Sequence, residues 1–138
     1  MIKQPERSSL CGHCCLATIL NISLAKAIEL VGHSRATKPS ELYKHFDHTS
    51  RRMKCIDNYE IPLGYNLVKI KVVDIKRAKK FYHWSILFSS SQTPPLIYEP
   101  NMGYVCEYAD LQSWYSGIYK FTPVQYMEIN NSINVNFL

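Results

Sequence analysis

The 138-residue sequence has no long apolar run. Its longest, around Cys14 to Leu20, covers about one or two helical turns, well short of the roughly 20 residues that a membrane-spanning helix needs. The start, Met1-Ile2-Lys3-Gln4-Pro5-Glu6, lacks the charged-then-apolar pattern of a secretory signal. The expectation is therefore a cytoplasmic chain, or one exported by a signal-less route into a host or competitor cell. No internal repeat and no linker long enough to divide domains is present, which leaves one domain over residues 1–138. A chain of this length buries roughly two-thirds of its unfolded surface without staples. Cysteine is sparse and odd in number at five, with three crowded at positions 11, 14 and 15. That spacing is poor for a disulfide framework and suits a reducing compartment. No second close cysteine pair completes a zinc spacing, so neither a metal nor another cofactor is expected.

Acidic residues are the minority charge, 11 against 16 basic, for a net charge of +5. Much of the excess falls in Arg51-Arg52-Met53-Lys54 and in Lys76-Arg77-Ala78-Lys79-Lys80. Such an excess reads as a solvated face, and no nucleic-acid partner is expected. The second cluster lies just before His83, where it would border a cleft and favour an acidic substrate. The chain is expected to act as a monomer on a peptide or protein substrate.

The first 47 residues read as helical. Cys11 begins an apolar helix former, with Ser8 or Ser9 as the capping residue. Asn21-Ile22 breaks that helix, and Ser23 caps a second over Leu24 to Val31 that stops at Gly32. Leu24, Ala27, Ile28 and Val31 recur at helical spacing and should pack on the first helix. Pro39 opens a third, whose buried side is Leu42, Tyr43 and Phe46.

The second half reads as extended. Residues 48–64 are irregular, with one short strand near Cys55-Ile56. Leu67 to Val73 alternates as a strand should, with an apolar face starting at Leu67 or Val68. Asp74 to Tyr82 is predicted to be a basic connection containing a single helical turn, so that His83 heads the next strand, through Phe88. Ser89 to Pro95 is a loop. A short strand at Leu96-Ile97-Tyr98 ends at Glu99-Pro100-Asn101-Met102-Gly103, followed by Tyr104 to Tyr108. Asp110 is placed as the cap of a short helix through Leu111, Trp114 and Tyr115. Lys120 to Ile129 is extended, with Pro123 marking an edge strand or a bulge. The last ten residues are either a frayed tail or an edge strand through Ile133, Val135 and Phe137. Helices followed by a mostly antiparallel sheet make an α+β domain, with room for a cleft between the two layers.

The chemistry concentrates at Cys11. A thiol at a helix start faces unsatisfied N–H groups and the positive end of the helix dipole, and both favour the thiolate. His83 supplies a base, and Glu99 or Asn101 at the following strand end supplies a group to orient it.

These residues resemble the papain-like cysteine peptidases, and most closely the small bacterial branch that includes bacteriocin-processing (double-glycine) peptidase domains. That branch carries a glutamine shortly before Cys-Gly-x-x-Cys-Leu, then a histidine opening an aromatic or apolar strand, then Asp-Pro. Here the matches are Gln4, Cys11-Gly12-His13-Cys14-Cys15-Leu16-Ala17, His83-Trp84 and Glu99-Pro100, spread over residues 4 to 103. The resemblance implies a papain-like α+β fold with the active-site cleft between a helical layer and the sheet. It also implies a peptide or isopeptide hydrolase in which Cys11 is the nucleophile, His83 the base and acid, Glu99 the orienter and Gln4 an oxyanion-hole donor. Glutamate in place of aspartate lengthens the orienting side chain, so either Glu99 reaches His83 from a shifted backbone or Asn101 orients the ring.

The same apparatus serves glutamine deamidation or acyl transfer, as in toxins and effectors, and an inactive relative would only bind peptides. Cys11-Gly12-His13-Cys14 is also the active-site tetrapeptide of thiol-disulfide oxidoreductases, although the strand and tryptophan that precede it there are missing. Cys14 and Cys15 are read as core filling. His13 is read as a surface or supporting group pointing away from Cys11, and His33, His45 and His48 as solvated. Trp84 is expected to pack beside His83 and into the core.

Overall fold

A computed structural model describes residues 2–47, 53–56 and 61–130. Three helices come first: α1 (Cys11–Leu20), α2 (Leu24–Val31) and α3 (Pro39–Tyr43). Six strands and one helix follow: β1 (Lys54–Cys55), β2 (Gly64–Asp74), β3 (Lys79–Ser89), β4 (Leu96–Glu99), β5 (Tyr104–Glu107), α4 (Tyr108–Trp114) and β6 (Tyr119–Glu128). The strands form one sheet in the order β1-β6-β2-β3-β4-β5, with every neighbouring pair antiparallel. The molecule is therefore α+β. Arg51, Arg52, His48 and the tail from 131 to 138 lie outside the described residues, as does part of the 48–64 connection.

α1 is buried from Gly12 to Ile19, so it is a core helix wrapped on every side rather than an amphipathic one. Neither Ser8 nor Ser9 caps it: Leu10 occupies the N-cap position, and the Ser8 hydroxyl donates instead to the Pro5 carbonyl at 2.6 Å. Asn21, at φ 55°, closes the other end in the left-handed region. α2 follows its sequence signals. The Ser23 hydroxyl accepts from the Lys26 N–H at 3.1 Å, and Gly32 ends the helix at φ 90°. In α3, Pro39 takes the first helical position, where its missing N–H costs nothing, and the Glu41 carboxylate accepts from the Lys38 N–H at 2.9 Å.

β2 and β3 form one long hairpin, paired from Gly64↔Ser89 to Asp74↔Lys79. This overturns the connection predicted for Asp74 to Tyr82. The Asp74 carboxylate accepts from the N–H groups of Lys76 and Arg77, and Ala78 turns the chain at φ 54°. A tight turn thus replaces the helical turn, and His83 falls inside a strand rather than at its head. Pro123 sits at a bulge, since Lys69 pairs with Gln125 and Ile70 with Pro123, although β6 itself is an interior strand. Asp110 lies in the first turn of α4 but does not cap it; Glu107 holds the N-cap position, with no side-chain cap.

Both faces of the sheet are covered, and this is why β2 has no purely polar side near its middle. Leu67, Trp84, Ile86, Tyr98 and Met127 join the helices in one core, whereas Val68, Ile70, Val72, Leu87 and Ile97 join Leu111 of α4 in another. The N-terminal segment is tied to the β4 end. The Tyr98 hydroxyl donates to the Ile2 carbonyl at 2.6 Å, and the Gln4 N–H to the Pro100 carbonyl at 2.7 Å. Gly103 permits this approach, because a Cβ there would lie 2.7 Å from that of Lys3. Among the described residues no single helix is long and apolar enough to cross a membrane.

Candidate active site

Cys11 is the first residue of α1, so the N–H groups of Cys11, Gly12 and His13 have no intrahelical acceptor; the Cys14 N–H is the first to find one, the Leu10 carbonyl at 2.9 Å. Gly12 lets this helix end come close to its neighbours. A Cβ there would stand 2.1 Å from the Thr37 Oγ1 and 3.1 Å from Trp84 Cδ1.

β4 pairs with β3 only from Ile86 to Phe88, which leaves the β3 edge at His83 and Trp84 without a strand neighbour on that side. The start of α1 sits at this open edge. The Cys11 sulfur is hydrogen-bonded to the His83 ring and receives the backbone N–H groups of Trp84 and Gly12. On the far side of the ring, His83 Nε2 lies 2.7 Å from Glu99 Oε1, so Nδ1 is the ring nitrogen left for the thiol. Glu99 Oε1 also accepts the Asn101 backbone N–H at 3.0 Å. Of the two candidate orienters, then, Glu99 is the one hydrogen-bonded to the ring, and Asn101 contributes its main chain to holding Glu99. Glu99 opens the turn at 99–103, where its carbonyl accepts from the Met102 and Gly103 N–H groups.

The electrostatics follow from this packing. Burial pushes the Cys11 thiol up, but the hydrogen bond and charge of His83 and the two N–H groups outweigh it, and the thiol ends below its ordinary value. Burial pushes His83 down, but hydrogen bonds to Cys11 and Glu99 and the charges of both raise it to about 10. Both shifts favour a thiolate beside an imidazolium.

No family model and no curated protein matches the chain.

Gln4 is buried at the wall of the same groove, a cavity of about 480 Å³ that also exposes Ser9, Thr37, Tyr82 and Asn101. One amide hydrogen of Gln4 goes to the Ser8 carbonyl at 2.8 Å, which fixes the side chain and leaves the second free. The four residues singled out from the sequence, Gln4, Cys11, His83 and Glu99, are thus brought together from three separate segments.

Cys14 and Cys15 face the other way. Both are fully buried in the core, and burial pushes the Cys14 thiol up to about 12 and the Cys15 thiol well above its usual range. All five cysteines are free thiols.

Two histidines depart from their expected places. His13 is fully buried rather than at the surface, with Nε2 donating to the His33 carbonyl at 2.7 Å. His33 is not simply solvated: its Nε2 pairs with Glu41, and its Nδ1 accepts from the Arg35 N–H at 3.1 Å. Together they anchor the 33–37 loop that forms one lip of the groove. His45 is half-buried, again not freely solvated. Trp84 packs into the core, and its indole N–H reaches the Thr37 carbonyl at 3.4 Å.

Thr37 and Lys69 also line the groove and were not among the residues singled out from the sequence. A signal existed for Lys69: strand alternation puts it on the same face as Leu67, toward the helices.

Proposed function

We propose that the chain is a cysteine hydrolase of papain-like architecture that cleaves a peptide or isopeptide bond. The observation that carries this reading is the line from the half-buried Cys11 through His83 to Glu99, in which one ring nitrogen meets the thiol and the other a carboxylate at 2.7 Å. A lone core cysteine needs neither partner.

The Cys11 thiolate attacks the carbonyl carbon, and the carbonyl π electrons move onto oxygen. That oxyanion is met by the Cys11 N–H and the free amide hydrogen of Gln4. Collapse of the adduct breaks the C–N bond as His83 gives its proton to the leaving amine. A water, deprotonated by His83, then attacks the thioester, releases the acid and restores the thiolate and imidazolium. Glu99 holds the ring in the orientation that presents Nδ1 to sulfur and stabilises its charge throughout. The full burial of Cys14 supports this reading over thiol-disulfide exchange, which requires the second thiol to be reachable.

Profiling against an internally quenched peptide library, with Cys11→Ala as control, tests the proposal. Cleavage by the wild type alone, with a thioester acyl-enzyme trapped by acid quench and seen by mass spectrometry, is the expected result. A reactive Cys11 with no acyl-enzyme and no cleavage of any library member would overturn it.

A further inference from the structure

Trp84 sends its backbone N–H to the Cys11 sulfur, away from β2. Backbone polar groups alternate in direction along a strand, so Tyr82 and Lys80 turn their N–H and C=O the same way. Among the described residues no strand pairs with that part of the β3 edge, and an unpaired edge beside a nucleophile is a template for an extended peptide.

The side chains on the adjoining sheet face are of one charge sign. Cross-strand pairing sets Lys69 beside Trp84, Lys71 beside Tyr82, and Lys80 beside Val73, all on the face shared with Leu67 and Ile86. No Asp or Glu lies on that face of β2 or β3, and the Asp74 carboxylate is occupied by the hairpin turn. Lys69 is the residue of the three that lines the Cys11 groove, its ammonium 4.6 Å above the Tyr82 ring, and among the described residues no carboxylate pairs with it. Resting on an aromatic face, that cation is oriented but not neutralised.

Building on the hydrolase reading above, we infer that the substrate is an extended acidic peptide that lies along the open β3 edge and places an Asp or Glu side chain on Lys69. The run at 76–80, which from sequence alone looked like the acid-attracting element, sits mostly at the hairpin tip. Lys69, on β2, is instead the lysine that lines the groove together with Cys11.

Matched pentapeptide chloromethyl ketones, with Glu or Gln placed at each position in turn, test this without requiring turnover. The Cys11 thiolate displaces chloride and forms a C–S bond, and the second-order rate is followed by intact mass. At one position the Glu reagent should react at least about tenfold faster than its Gln counterpart, the worth of one charge-assisted hydrogen bond. Lys69→Met, which keeps an unbranched side chain but removes the charge, should bring that ratio close to one, and Lys69→Glu should favour a Lys reagent instead. Equal rates at every position, or a preference that survives Lys69→Met, would overturn the inference. Iodoacetamide rates against pH on the same samples separate the two readings. A thiolate persisting at low pH without Glu preference defeats only the acidic substrate, whereas loss of the thiolate defeats the nucleophile and this inference with it.

Discussion

Glu99 holds the Nε2 side of the His83 ring at 2.7 Å, with both side chains buried and sixteen positions of chain between them. The pair is local to two neighbouring strands, yet its effect falls on a third residue, the Cys11 thiol, through the ring. Glu99→Gln keeps an oxygen acceptor for the ring and for the Asn101 N–H but removes the negative charge. The His83 pKa should fall and the Cys11 pKa should rise, since each is held from its ordinary value by the other. Iodoacetamide labelling of the variant should therefore begin at higher pH than in the wild type.

The pH dependence of peptide cleavage should be bell-shaped. On the acid side, activity appears as Cys11 loses its proton, below the ordinary thiol value of about 8.5 because its pKa is lowered. On the alkaline side it is lost as the imidazolium deprotonates near 10, because His83 is raised. Initial rates from pH 4 to 11 check both limbs. A single rise centred near an ordinary thiol pKa would contradict the ion pair.

Gln4→Ala removes a donor to the oxyanion but no group in contact with the thiol. The expected outcome is a loss of about 10²–10³-fold in kcat, with the iodoacetamide profile of Cys11 unchanged. Parallel loss of both would mean that Gln4 acts by holding the Ser8 turn instead.

Gly12→Ala should destabilise the fold by about 1–3 kcal/mol, the usual cost of overpacking. Its new methyl would stand 2.1 Å from Thr37 Oγ1, with Leu42 Cδ1 at 3.3 Å behind. Thr37→Ala clears the shortest contact, so the double variant should recover part of the loss in urea unfolding. Purely additive effects would place the cost elsewhere.

Much of this was legible because the signals are local. Ser23 and Gly32 bracket α2 by their own capping chemistry, and Pro39 opens α3 for the same reason. Cys11 at a helix start and Glu99 at a strand end were readable from residue type and position, whereas Gln4 entered through the family resemblance and His83 was placed at the head of a strand it lies inside. The β2–β3 hairpin was not: Lys79, Lys80, Phe81 and Tyr82 are all exposed, so no alternation distinguishes their strand from a loop. Their pairing depends on β2, which the local sequence does not reveal. His13 was misplaced for a related reason. A helix usually has a wet side, but α1 is buried all round, and the Nε2 of the buried ring reaches a carbonyl twenty residues away. Leu10 as the N-cap shows the same limit: two serines were at hand, and the chain path into the groove used neither.

The most direct test is the rate of Cys11 alkylation by iodoacetamide against pH, mapped by peptide mass spectrometry in the wild type and in His83→Ala. A free thiol titrates near about 8.5. The wild-type site should stay reactive well below that, and His83→Ala should lose the low-pH reactivity. Cys14 and Cys15 should remain unlabelled in both until the protein is unfolded. Superimposable profiles, with or without the imidazole, would contradict the account at its centre.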